Sequence, residues 1–147
     1  MTLPEVLLDE SRRETVVTES IALIDSEVAA KRGVTGFAIK SGYKIVKKLD
    51  GGKMLPKAVN DLLPEFAAAL EPFHAAYRAQ AAGNFASFGT GKERELANAL
   101  LAITDGKAEH AKNAVLKKVY YKLRPSAVTH LIQSMPPVTV MIDRHAG

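Results

Sequence analysis

The chain contains no cysteine and no tryptophan. Without thiols, neither a disulfide framework nor a thiolate metal centre is open to it. No uninterrupted apolar run approaches the roughly 18 residues of a membrane span. The first residues, Met1-Thr2-Leu3-Pro4-Glu5, lack the basic and apolar stretches of a secretory signal. We therefore expect a soluble, cytoplasmic protein. Acids are nearly missing from one stretch of the chain: Val28–Asn60 holds eight bases and only Asp50, a net of +7.

What is present is ordinary for a folded domain. The 147 residues are 47% apolar and 24% charged, which fits one globular domain over 1–147 rather than a disordered chain. Charge is blocked along the sequence. Met1–Glu27 carries −5, Asp61–Asp105 carries −3, Gly106–Ala127 carries +5, and the tail is neutral, leaving +4 for the whole. Segregation of this kind presents at least one basic face, and basic faces attract phosphate, anionic lipid or acidic protein.

Helix signals run from end to end. Thr2-x-x-Glu5, Ser11-x-x-Glu14 and Thr90-x-x-Glu93 read as capping boxes, in which hydroxyl and carboxylate each satisfy an orphan backbone donor. The second predicts a long helix to about Lys31 with Val17, Ile21, Ile24 and Val28 along one face, closed by a left-handed cap at Gly33. A further helix is expected over about 35–49. Its buried stripe would be Ala38, Gly42, Ile45, Val46 and Leu49, with Lys40, Lys44, Lys47 and Lys48 opposite. Asp50-Gly51-Gly52 breaks the chain.

Pro56 is expected to open a short helix ending near Leu63, and Pro64 to open the next. Phe66, Leu70, Phe73 and Tyr77 keep helical spacing across Pro72, which predicts one helix kinked near that residue. Gly83–Gly91 reads as a loop, followed by a helix with Leu96, Leu100 and Ile103 inward and a turn at Asp105-Gly106. A basic helix burying Ala111, Val115, Val119 and Leu123 should stop at Pro125, and a short one should run from Ser126 to Met135. Val138–Ile142 is β-branched, yet a lone strand would have no partner, so that end is also read as helical. The expectation is an all-α, compact single-domain bundle of about seven or eight helices, with Ile24, Phe66, Leu70, Phe73, Leu100 and Val119 in its core.

Candidate chemistry is sparse. Val28–Gly42 has the small residue, turn glycine and core aliphatic of a helix-turn-helix in Ala29, Gly33 and Ile39, with Thr35 to cap a recognition helix. Arg32 stands where that motif is apolar, and base-reading Arg, Asn or Gln are missing from the start of the second helix. Gly89-Thr90-Gly91-Lys92 has Ala86 and Glu93 where a phosphate loop needs glycine and Ser/Thr. Lysines with Phe37, Tyr43 and Ile45 could meet an anionic membrane, although the small residues of that helix suit helix packing better. His74, His110, His130 and His145 lack zinc spacing; His74 reads as a packing residue and the others as surface or helix-end residues. No catalytic, cofactor or metal residue is assigned.

Leu7-Leu8-Asp9, Lys31-Arg32-Gly33-Val34-Thr35-Gly36, Tyr43–Lys48, Leu62-Leu63-Pro64, Ala99–Asp105, Leu116–Tyr120 and Arg144-His145-Ala146 together resemble a group of uncharacterised actinobacterial proteins of similar length. The resemblance spans nearly the whole chain. It implies an all-helical soluble domain and brings no activity or site residue with it.

The functional expectation is binding rather than catalysis. An acidic or anionic partner would meet Lys40, Lys44, Lys47, Lys48, Lys117 and Lys118. The alternative is weak or non-specific nucleic-acid binding through a degenerate helix-turn-helix at 28–42.

Overall fold

The computed structural model describes residues 1–146. They form seven α-helices: α1 (Leu3–Leu7), α2 (Arg13–Ala30), α3 (Gly33–Lys48), α4 (Met54–Gln80), α5 (Phe85–Gly89), α6 (Glu93–Glu109) and α7 (Ala114–Ala146), with a 3₁₀ turn over Leu49–Gly52. There is no strand among the described residues. The two longest helices, α4 and α7, are the frame: α6 packs on both, α1 bridges them, α5 sits on α7, and α2 and α3 close the remaining side.

Proline proves a weaker stop than the sequence implies. Instead of ending a helix at Leu63, the chain stays helical through Pro64 and Pro72 in α4, and through Pro125, Pro136 and Pro137 in α7. An internal proline removes one backbone donor and strands the carbonyl four residues earlier. At Pro64 that carbonyl belongs to Asn60, and Arg13 Nη2 donates to it at 3.0 Å. Leu63 and Ala67 are buried on either side, so tertiary packing outweighs the local penalty. In α7, Met135, Thr139, Met141 and Ile142 are likewise buried around the proline pair, which is why the β-branched tail is helical.

Three cap assignments divide by where the hydroxyl is needed. Thr2 caps α1, accepting from the Glu5 amide at 3.3 Å. Ser11 donates its hydroxyl to Asp9, leaving α2 to begin at Arg13 without a side-chain cap. Thr90 donates to the Ala86 carbonyl at 3.3 Å, and α6 also starts without a side-chain cap. The supposed loop at 83–91 contains α5, where Asn84 and Ser87 form a reciprocal capping box. Asp143 closes that end by accepting from the Phe85 and Ala86 amides at 2.9 and 3.0 Å. Asp105-Gly106 makes no turn, because Asp105 is held from α7 by Arg124 at 2.8 and 3.0 Å.

The compact core gathers Leu3, Leu7, Val16, Leu63, Ala67, Leu70, Phe85, Leu96, Ala97, Met135 and Ile142. Of the six core positions expected from periodicity, Leu70 alone is fully buried. Phe73 packs on the core from its edge, and Phe85 takes the central aromatic place, edge-on to His74 at 5.0 Å between centroids. Val119 faces Gly42 of α3. Ile24, Phe66 and Leu100 point into a space the core does not fill.

Candidate functional site: an apolar cavity with a cationic end

That space is a partly open cavity of about 530 Å³ lined chiefly by α2, α3, α4, α6 and α7. Its wall is built from Leu23, Ile24 and Val28 of α2, Ile39 of α3, Phe66 and Leu70 of α4, Leu100 and Leu101 of α6, and Leu123, Leu131, Val138 and Met141 of α7. The volume lies in the range of about 300–1,000 Å³ found for small-molecule sites. Small residues on the wall, Ala67 and Ala127, leave the middle unfilled.

α2 is the cover. Of its residues only Val16 is fully buried, and Leu23, Ile24 and Val28 face the cavity. Polar ties hold its margins instead. Asp25 accepts from the Tyr43 hydroxyl and from Lys47 Nζ, the latter at 3.0 Å. Arg13 donates to Asn60, and Glu19 pairs with His145 and with Arg144 at 3.4 Å. These hydrogen bonds lower the carboxyl pKa of Asp25, chiefly through Tyr43, and of Glu19, chiefly through His145. Burial and the Asp25 bond push the Tyr43 phenol well above its usual value.

One end of the cavity is cationic. Lys31, which with Arg32 joins α2 to α3, is only 8% exposed. Its Nζ donates to the His130 carbonyl at 3.0 Å and to Ser134 Oγ at 2.9 Å. An ammonium has three donors, so one is unspent. His130 is as buried as Lys31. Its Nε2 lies 2.9 Å from Thr35 Oγ1, while its Nδ1 is buried without a partner. Desolvation lowers both pKa values, and the Lys31 charge lowers that of His130 further. Gly36 makes this corner possible: a Cβ there would stand 2.9 Å from the Lys31 carbonyl carbon. Elsewhere on the wall, Thr104, Tyr120 and Arg124 satisfy one another around Asp105, with Thr104 Oγ1 and the Tyr120 hydroxyl 2.8 Å apart. Burial and the Asp105 bond raise the Tyr120 phenol. Asp105 is lowered, first by Arg124 and then by Tyr120.

The residues singled out from sequence fall elsewhere. Lys44, Lys47, Lys48 and Lys118 are exposed, Lys40 and Lys117 half-buried, and none lines the cavity. The structure does set their two segments side by side, since a Cβ on Gly42 would lie 2.9 Å from Val119 and 3.0 Å from Leu123 of α7. Lys47 is engaged by Asp25, and Lys117 donates to the Glu109 carbonyl at 3.2 Å. The inward side of α3 is Gly36 and Gly42, with Ile39 on the cavity; of the expected stripe Gly42 is buried, Ala38, Val46 and Leu49 are half-buried, and Ile45 alone is exposed, at 46%. Thr35 engages His130 instead of capping α3. Lys92 Nζ is taken up by the Phe88 carbonyl at 3.2 Å and lies 4.3 Å above the Phe88 ring. His130, read as a surface or helix-end residue, is buried at the cationic end, and Lys31 beside it went unrecognised.

Among the described residues there is no group of three or more potential metal ligands and no helix long and apolar enough to cross a membrane. A family model covers residues 3–146, and the chain belongs to that family, the family of unknown function DUF6918. No curated protein and no solved structure matches it.

Proposed function

We propose that this member of DUF6918 binds a long-chain amphipathic small molecule of the fatty-acid class in the cavity beneath α2. The observation that carries the reading is the contrast between wall and end. The wall is apolar almost throughout, whereas the end is bordered by Lys31, whose ammonium has one N–H unspent, and by His130. An acyl chain suits the first, and a carboxylate accepting a charge-assisted hydrogen bond suits the second.

Calorimetric titration with palmitate tests it. The expected result is saturable binding of one molecule per chain, abolished by Ala127→Phe, which adds a ring to the wall. Lys31→Met should weaken palmitate by about tenfold or more, the scale of a hydrogen bond to a charged group, while hexadecanol binding changes little. Absence of binding, or an Ala127→Phe variant that binds as well as the parent, contradicts the reading.

A second reading concerns the outside of the molecule. The adjacency of α3 and the first half of α7, with Lys40, Lys44, Lys47, Lys48, Lys117 and Lys118 upon them, supports contact with an acidic or anionic partner. Nucleic-acid binding through 28–42 has less support, because Lys31 is engaged inside the fold and Thr35 is engaged by His130. We propose the cytoplasm as the compartment for both.

A further inference from the structure

The outer side of α3 combines cations with uncovered apolar groups. Val34, Phe37, Ser41, Lys44, Ile45 and Lys48 share one side of the helix by their spacing. Val34 is 89% exposed and Phe37 71% exposed. No Asp or Glu occurs between Val28 and Leu49. On the adjoining part of α7, Val115 and Tyr121 are each 47% exposed and share their side with the exposed Lys118 and Lys122. That stretch is also free of acids, from His110 to Ile142.

We infer that this α3–α7 face docks on an anionic phospholipid bilayer, with Phe37 and Val34 entering the headgroup boundary. The inference rests on the second reading above and names the class of partner. A nucleic-acid backbone would engage the lysines and leave the apolar side chains in water. A bilayer surface takes both, since apolar side chains enter the acyl boundary while lysines meet lipid phosphates. Ile39 places the opposite side of the same helix on the cavity wall, so docking brings that wall against a source of acyl chains.

Vesicle flotation of the full chain is the test, using phosphatidylcholine with and without phosphatidylglycerol. Binding is expected only with phosphatidylglycerol and should weaken as salt rises. Lys44→Gln and Lys48→Gln should each weaken it about fivefold. Phe37→Ser should weaken it about tenfold, through lost apolar burial, with an unchanged melting temperature because the side chain is largely exposed. Equal binding to both vesicle types, or full affinity in Phe37→Ser, overturns the inference. So does binding of duplex DNA in preference to vesicles, which would assign the face to nucleic acid. Retention of polyglutamate with no vesicle binding would leave the acidic-partner reading standing and sink this one.

Discussion

Two glycines in helical backbone, Gly36 and Gly106, make opposite predictions for the same substitution. Placing alanine at either removes the intrinsic helix penalty of glycine, worth about 0.8–1.0 kcal/mol. At Gly106 a new Cβ meets nothing within 4 Å, so Gly106→Ala should stabilise by that full amount. At Gly36 the Cβ would lie 2.9 Å from the Lys31 carbonyl carbon and 3.2 Å from the Lys31 Cβ. The first is backbone and cannot swing aside. Forcing an extra carbon into a packed site costs about 1–3 kcal/mol, which leaves Gly36→Ala between neutral and about 2 kcal/mol destabilised. The entropy of unfolding, about 2.1 cal/mol/K per residue, converts each kcal/mol into about 3 °C for a chain of this length. Gly106→Ala should melt about 3 °C higher than the parent and Gly36→Ala up to about 6 °C lower. Urea midpoints with unchanged slopes would confirm that stability alone has moved. Equal stabilisation of both variants would refute the close approach of α3 to Lys31, and with it the geometry of the cationic end.

Other perturbations follow from the same structure. Phe85 is fully buried against His74 and Tyr77, so Phe85→Ala should cost about 3–5 kcal/mol in urea denaturation. Tyr43→Phe removes the hydroxyl that donates to Asp25; it should cost about 1 kcal/mol and, by loosening the cover, speed palmitate release in stopped-flow measurements. His74 and His130 are held below the ordinary imidazole value of about 6.5, first by desolvation. The unfolded chain therefore takes up protons that the folded one refuses, and stability should fall as pH drops through about 6.5. Glu71, lowered chiefly by Arg78, and Asp105, lowered chiefly by Arg124, contribute stability present above their ordinary values and lost as pH falls below about 4. His74→Phe should make the first of these declines shallower in denaturation followed across pH.

Periodicity made the fold class legible, and Thr2, Gly33 and Asp50-Gly51-Gly52 marked real boundaries, although Gly33 opens α3 and α2 ends on an extended Lys31 rather than in a left-handed glycine cap. Gly33 and Gly51 adopt φ of +78° and +61°, the left-handed conformation for which glycine is suited. Prolines misled because their local penalty can be met from a distance, as Arg13 does for the carbonyl of Asn60. The stripe expected on α3 included Gly42 but not Gly36, because a close approach made by glycine carries no hydrophobic signal. The cavity was hidden for a related reason. Ile24, Phe66 and Leu100 have the spacing of core residues, and nothing in one sequence distinguishes side chains that meet from side chains that face each other across a gap. Lys31 looked like any helix-end lysine, since its burial depends on His130 and Ser134, about a hundred residues away along the chain. The lysines on α3 and α7 were visible as a charge block, and the structure added that their helices are neighbours.

The central claim is that the space beneath α2 receives an amphipathic ligand, and methyl-resolved NMR with added palmitate addresses it residue by residue. The largest shifts should fall on Ile24, Val28, Ile39, Leu123 and Val138, which line the cavity, with Val6 and Val115 unmoved. Shifts confined to the outer residues Val34 and Val115, or none at saturating ligand, would contradict the account.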